Sequence, residues 1–222
     1  MGILSFLGCD ASILLDSTKD NTAEKDSPAN LSLRGYEVID AAKEELEKQC
    51  PGVVSCADIV AMASTYAVFE AGGPVYDIPK GRKDGSRSKI QDTINLPPPT
   101  LNASELIKMF GQHGFTAQEM VALSGAHTLG VASAGDNTEQ PFDATRNRFD
   151  NLYFNALQRN TGLLASDQTL FASARTRNIV NGYAFNQAMF FFDFQQAMVK
   201  MSMLDVKEGF KGEVRKNCRK IN

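Results

Sequence analysis

Leu123-Ser-Gly-Ala-His-Thr-Leu-Gly130 sets His127, one of the chain's two histidines, among small side chains. Small neighbours let a large group approach the imidazole, although a lone histidine in such a setting is more often a packed core residue. The other histidine, His113, lies at the end of a helical pattern, where the helix dipole favours a cation and a surface cap is expected. Taken alone, the stretch leaves His127 as either a ligand or a core residue.

The segments around this stretch predict a mostly α fold. Asn102 precedes Glu105 by three residues, and Thr116 precedes Glu119 likewise, which is the spacing of a helix capping box. Amphipathic or largely apolar segments predict further helices at 34–49, 55–71, 152–159, 176–184 and 185–203. The segment 73–99 is rich in Gly, Pro, Asp and Ser and is predicted to be a loop with room for a short hairpin.

Composition narrows the class of protein. The 222 residues are 43% hydrophobic and 22% charged, which is typical of a globular chain, and the net charge of −3 with scattered basic residues disfavours nucleic-acid binding. No apolar run reaches the roughly 20 residues needed to cross a bilayer, so no membrane partner is expected. The first eight residues carry too short an apolar stretch for a signal peptide.

The motifs of several enzyme classes are absent. The sequence has no His-Glu-x-x-His, no Gly-x-Ser-x-Gly and no phosphate-binding loop, so zinc hydrolysis, acyl transfer and phosphoryl transfer lose support. A single axial imidazole suits haem iron, and clusters of Asp with Ser or Thr suit calcium. The alternative for each cluster is helix capping and turn formation.

Taken in order, eight segments resemble the class III plant secretory haem peroxidases. These segments are Gly8–Asp16, Glu24-Lys25, Leu33–Tyr36, Cys50–Asp58, Asn95–Pro99, Leu123–Gly130, Phe149–Asn151 and Ser166–Gln168. The ending Gly212–Cys218 is also similar to that family. The resemblance covers nearly the whole chain.

The resemblance implies a haem-peroxidase-like helical fold, truncated at the N-terminus, with the haem site between two helical subdomains. Residues 1–222 would form a single peroxidase-like unit, with its distal side at about 1–110 and its proximal side at about 111–222. His127 would bind the haem iron and Asp167 would orient it, since a carboxylate behind a ligating imidazole makes that imidazole more basic.

The resemblance also implies calcium sites and other contacts. A proximal calcium would be bound by Thr128, Asp143, Thr145 and Asp150, and a partial distal calcium site would comprise Gly8, Asp10, Ser12 and Glu24. Ser32 would contact a haem propionate and Pro97 would lie at the edge where aromatic substrates bind. Of the family's disulfides, only Cys56–Cys218 keeps both members in this sequence.

The sequence departs from the family pattern at three places. No His or Arg precedes Gly8, where the family has its distal acid/base pair, and the family's cysteine loop after Ala132 is shortened. Asp143 and Thr145 are separated by one residue rather than two, which predicts a distorted proximal calcium site. Cys9 and Cys50 are left as orphans or as a new pair.

The predicted function is a peroxidase that uses haem b to reduce hydrogen peroxide with small phenolic donors, with impaired turnover. The first alternative is a catalytically inactive scaffold that binds calcium or a partner and is a truncated or splice product. The second alternative is a helical domain that binds neither haem nor calcium. An exposed pocket wall would favour an oligomer. The family resemblance suggests secretion to the cell wall or apoplast, or a vacuolar location, and two N-glycosylation triplets, Asn30-Leu-Ser32 and Asn102-Ala-Ser104, fit export.

Overall fold

The computed structural model describes residues 9–133 and 139–222. Within these ranges the chain forms eight α-helices: α1 (Tyr36–Gln49), α2 (Cys56–Glu70), α3 (Ala103–Gln112), α4 (Ala117–Ser124), α5 (Leu152–Gln158), α6 (Ala165–Ala172), α7 (Arg177–Phe185) and α8 (Gln187–Ser202). Strands β1 (Val131–Ser133) and β2 (Glu139–Pro141) pair antiparallel, and four short 3-10 helices lie at Ser12–Leu14, Glu24–Asp26, Ile90–Asn95 and Gly125–Thr128. The predicted mostly α fold is confirmed. None of the described helices has both the length and the apolar character needed to cross a bilayer.

The two predicted capping boxes are present. The Oδ1 atom of Asn102 accepts hydrogen bonds from the backbone N–H groups of Ser104 (2.9 Å) and Glu105 (3.1 Å), and the Glu105 carboxylate accepts from the Asn102 N–H (2.9 Å). Thr116 and Glu119 make the same reciprocal pair, at 3.1 and 2.7 Å. These bonds satisfy backbone donors that have no partner inside a helix, so α3 and α4 begin where the sequence predicts.

The structure refines other expectations about the elements. The helix predicted at 185–203 is present as α8 and buries Phe190, Phe194 and Ala197, but it begins two residues later, because Asn186 adopts an extended conformation after α7 and Phe185 is the last residue of α7. Helix α6 was not predicted, because its eight residues show almost no apolar face. The segment 73–99 contains no hairpin among its described residues; Lys83 and Asp84 instead form isolated bridges with the C-terminal segment.

The chain divides into two compact units, each assembled from separate stretches of sequence. Unit 1 consists of Ala67–Tyr76 and Pro97–Lys200, and unit 2 of residues 9–66, Asp77–Leu96 and Met201–Asn222. The core of unit 1 is aromatic: the rings of Phe149 and Phe190 stack at 5.5 Å between centroids, and Phe154, Tyr183 and Phe194 pack around Phe190. This cluster fixes α5, α7 and α8 around the segment that carries the site.

The core of unit 2 forms around the first turn of α2 and one face of α1. Ile39 of α1 is buried there, whereas Val38, which the periodicity placed on the apolar face, is 62% exposed. Lys43 is also buried, because its ammonium donates to the Val54 carbonyl (2.5 Å) and to Glu47 (2.6 Å). Three of the four predicted apolar positions, Ile39, Ala42 and Leu46, thus lie on the inner face of α1, and Val38 does not.

Candidate functional site

His127 lies just beyond the end of α4. The capping box fixes the start of that helix, and after Ser124 the chain tightens into the 3-10 turn Gly125–Thr128. The turn leaves the His127 side chain 39% exposed although its neighbours Ala126 and Thr128 are buried. A half-exposed imidazole on a buried turn is held in place while one edge of its ring stays accessible.

A buried carboxylate orients the imidazole. The Nδ1 atom of His127 donates to Oδ1 of Asp167 at 2.8 Å, and Asp167 is only 2% exposed. Asp167 lies in the first turn of α6, where its other oxygen accepts from the Leu164 N–H at 3.3 Å. With Nδ1 engaged, Nε2 is the ring nitrogen that a metal can bind, which is the arrangement found when a second group sets the tautomer of a ligating histidine.

Tyr153 of α5 is a member of this group that the sequence did not reveal. Its hydroxyl donates to the same Asp167 oxygen at 2.9 Å, and the side chain is fully buried. Burial, and secondly the neighbouring carboxylate, raise the pKa of Tyr153, so the phenol keeps its proton and acts as a donor. Tyr153 and His127 are 26 residues apart in the chain, and no spacing rule connects them.

Phe142 is the second residue that sequence reasoning missed. Its ring stacks on the His127 imidazole, with centroids 4.5 Å apart and planes inclined by 15°. Tyr153 meets the same imidazole edge-on at 6.0 Å. The two aromatic contacts and the Asp167 bond together restrict rotation of the imidazole about both side-chain torsions.

Gly125, two residues before His127, is required by packing within unit 1 rather than by a group that binds the imidazole. A Cβ added at Gly125 would lie 2.4 Å from a ring carbon of Phe190 and 2.8 Å from Phe154. The small side chain is therefore required by the packing of α5 and α8. It does not by itself indicate that a large group approaches the imidazole, as the sequence suggested.

Next to His127, an oxygen cluster brings together all four residues predicted as proximal calcium ligands. The Thr128 hydroxyl donates to Oδ2 of Asp143 at 2.6 Å, and lies 3.5 Å from Oδ1 of Asp150 and 3.3 Å from the Arg148 carbonyl. Thr145 donates to Oδ1 of Asp143 through its N–H (2.8 Å) and its hydroxyl (3.1 Å). Hydroxyl, carboxylate and carbonyl oxygens are the ligands that calcium prefers.

The one-residue spacing between Asp143 and Thr145 does not pull them apart, because Asp143 accepts both bonds from Thr145 within a tight turn. Within residues 9–133 and 139–222, no group of three or more His, Cys, Asp and Glu side chains is arranged to hold a metal ion. The acidic part of the cluster is a pair of carboxylates, and the remaining oxygens are neutral. The donor set fits a hard divalent cation better than a zinc ion.

The residues predicted for the distal calcium site carry a different charge pattern. Asp10 accepts from the Ser12 N–H at 3.0 Å, and the Ser12 hydroxyl donates to Glu24 at 3.0 Å. Burial raises the pKa of Glu24 to about 7. The ammonium of Lys207 forms an ion pair with the buried Asp10 carboxylate, so a positive charge from the chain itself already faces this cluster.

The structure also describes the surroundings of the other predicted residues. Ser32 is exposed in a turn of unit 2, Pro97 is half-buried in unit 1, and Gly8 lies outside the described residues. A disulfide joins Cys56 and Cys218. Cys9 and Cys50 are both free, so the new pair considered from the sequence is not formed.

Comparisons with known proteins give a consistent result. A family model described as "Peroxidase" matches residues 5–186. Peroxidase 47 of Arabidopsis thaliana is 70% identical over 243 aligned residues, covering 97% of this chain and 75% of that protein. Peroxidase 66 of Arabidopsis thaliana and Peroxidase 5 of Vitis vinifera are 40% and 42% identical, each covering 97% of this chain and 78% of its own length.

The alignment with Peroxidase 47 is longer than this chain. Its 243 aligned residues exceed the 222 residues of the chain, so that relative contains residues inside the aligned region that have no counterpart here.

Proposed function

Because this chain belongs to the peroxidase family, in its plant secretory branch, we propose that it binds haem b through His127 and reduces hydrogen peroxide with electrons from small phenolic donors. The observation that supports the proposal most directly is the bond between His127 Nδ1 and Asp167 at 2.8 Å, which leaves Nε2 for the iron. The haem supplies the redox chemistry when bound. The chain supplies the ligand and its surroundings.

The residues around His127 make it a strong, fixed ligand. Asp167 accepts the Nδ1 proton and so raises the electron density on Nε2, which favours the higher oxidation state of a bound iron. The Tyr153 hydroxyl shares that carboxylate and limits how far the proton is drawn from the imidazole. Phe142 and the 3-10 turn hold the ring plane in one orientation.

We also propose that calcium binds the oxygen cluster of Thr128, Asp143, Thr145 and Asp150. Thr128 follows His127 directly in the chain, so a cation held by its hydroxyl would fix the backbone of the ligating residue. The partial distal site, at Asp10, Ser12 and Glu24, is a weaker candidate because the Lys207 ammonium supplies the charge there.

Turnover by these 222 residues alone is expected to be slow. The only other histidine of the sequence, His113, lies at the C-terminal end of α3, where a surface cap rather than an acid/base group is expected. Such a group is typically worth about 10²- to 10⁴-fold in rate. A haem-bound chain would therefore oxidise phenols measurably but weakly.

A haem titration tests the ligand assignment. Purified protein is titrated with haem and followed by its Soret absorption, beside His127→Ala and, as a matched control, His113→Ala. We expect the wild type and His113→Ala to bind one haem with the same spectrum, and His127→Ala to lose the histidine-ligated spectrum. Equal binding by all three proteins would overturn the assignment.

The activity and the cation are tested on the same sample. Adding peroxide and a phenolic donor to the haem-loaded wild type should give slow product formation that His127→Ala lacks. Asp150→Asn should lower the calcium-induced rise in melting temperature, since a ligand that binds only the folded state must stabilise it. A melting temperature that calcium does not change in the wild type would reject the calcium site.

A further inference from the structure

The two N-glycosylation triplets of the sequence lie in opposite environments. Asn30 of unit 2 is 5% exposed, and its Nδ2 donates to the Glu24 carbonyl at 2.8 Å. Asn102 of unit 1 is exposed, at the start of α3. Both positions carry the same three-residue signal, but the side-chain amide of Asn102 is accessible and that of Asn30 is not.

The hydrogen bonds of Asn102 divide its side chain into two parts. Its Oδ1 caps α3 by accepting from the N–H groups of Ser104 and Glu105. Among the residues that the structure describes, none accepts a hydrogen bond from its Nδ2. The amide nitrogen is therefore free to be substituted, whereas the carbonyl oxygen caps α3.

We propose that Asn102 is the N-glycosylation site of the folded chain and that Asn30 is not modified in it. The inference rests on the secretion that is expected of a plant secretory peroxidase. The donor would be an oligosaccharide linked to a lipid diphosphate.

The reaction leaves the helix cap intact. The Nδ2 atom attacks the anomeric carbon of the first sugar, an N-glycosidic bond forms, and the bond from that carbon to the diphosphate oxygen breaks. The amide loses one proton and the lipid diphosphate leaves with the bonding electrons. The product keeps the carbonyl oxygen, which continues to accept the N–H groups of α3.

At Asn30 the same reaction is incompatible with the fold. Substitution of Nδ2 would replace a donor that satisfies the buried Glu24 carbonyl, and would place a sugar where the side chain has almost no exposed surface. Because glycan transfer acts on chains that have not yet folded, a molecule modified at Asn30 could not complete unit 2. The folded, exported population should therefore carry sugar at Asn102 only.

The test uses the 222-residue chain behind a secretory leader in eukaryotic cells, purified from the medium. Wild type is compared with Ser104→Ala, which removes the triplet but leaves the Asn102 cap, because Ser104 contributes its backbone N–H to it. Asn102→Asp is a second variant, since a carboxylate caps a helix as well as an amide does. Ser32→Ala is the matched control that removes the other triplet.

We expect one glycan-dependent mobility shift in wild type and Ser32→Ala, and none in Ser104→Ala and Asn102→Asp. Peptide N-glycosidase converts a glycosylated Asn to Asp, so peptide mass spectrometry should place the conversion at position 102. An unmodified Asn102 in exported protein, or a modified Asn30, would overturn the proposal. Since the leader supplies export and the haem titration uses unglycosylated protein, failure here and failure of the peroxidase assignment are separate results.

Discussion

Replacing Asp167 by Asn tests the central group of the site with almost no change in shape. Three donors converge on this buried carboxylate: His127 Nδ1 and the Tyr153 hydroxyl on one oxygen, and the Leu164 N–H on the other. An amide has one acceptor oxygen and one donor nitrogen. If its oxygen serves His127 and Tyr153, its NH₂ faces the Leu164 N–H; in the flipped orientation it opposes the other two donors.

The expected loss of stability follows from the number of hydrogen bonds that the substitution affects. The better orientation loses one charge-assisted bond and weakens two more, and hydrogen bonds to charged groups contribute about 1.5–3 kcal/mol each. Partial compensation by the amide oxygen leaves an expected loss of about 2–4 kcal/mol in the free energy of unfolding of the haem-free protein. Tyr153→Phe is the matched control: it removes one donor but keeps the charge, so about 1 kcal/mol is expected.

Haem affinity provides the second readout. Residues that orient a metal ligand typically contribute about 10- to 100-fold to metal affinity, and we expect the haem dissociation constant of Asp167→Asn to rise by that factor. Urea denaturation followed by circular dichroism measures the first effect, and Soret titration the second. If the variant unfolds within about 0.5 kcal/mol of wild type and binds haem equally well, Asp167 does not position His127.

Three further predictions concern packing and the cysteines. Gly125→Ala should lower the free energy of unfolding by about 1–3 kcal/mol, because the new methyl group meets a buried phenylalanine ring. Gly111→Ala should stabilise the protein, because its methyl group meets nothing within 4 Å. Thermal melts compare the two variants, and equal shifts in melting temperature would contradict the packing argument. Replacing both Cys56 and Cys218 by Ala opens a crosslink with a sequence separation of 162, worth about 5 kcal/mol in the chain-entropy model, and a change in urea stability below about 1 kcal/mol would be inconsistent with it. Burial raises the pKa of the Cys9 thiol to about 11, so the folded state favours the protonated thiol; this stabilisation is present below the ordinary value of 9.0 and is lost as the pH rises through about 11. A thiol reagent at pH 8 should therefore label the half-exposed free cysteine alone, and labelling of both in native protein would refute this.

Local signals predicted most of the helical frame correctly. The capping boxes at Asn102 and Thr116 specify helix starts through bonds between residues three apart, and such bonds are readable from sequence. Helix α6 was missed because its placement depends on tertiary contacts such as the bond from the Ala103 N–H to the Thr169 hydroxyl. Val38 was misplaced because adjacent positions of a helix do not share a face, and Ile39 is the one that faces the core of unit 2.

In the site, too, some residues could be predicted from the sequence and others could not. His127 and the residues expected around it came from motifs, and the structure brings His127 and Asp167, 40 residues apart, within hydrogen-bond distance. Tyr153 and Phe142 could not be found this way, because an aromatic residue in an apolar helix or loop has many possible neighbours. Lys207 was missed for a similar reason: its partner Asp10 lies 197 residues earlier in the chain.

The division of unit 2 into three stretches has a consequence for the order of events during synthesis. Its core needs residues 9–66, Asp77–Leu96 and Met201–Asn222 together, and Arg215 of the last stretch donates to the Ala11 carbonyl of the first. The ribosome delivers these stretches with all of Pro97–Lys200 between them, so unit 1 is complete in the nascent chain while unit 2 still lacks its final segment. Until Cys218 emerges, Cys56 has no disulfide partner, so the native crosslink of unit 2 forms only after all of unit 1 has been synthesised.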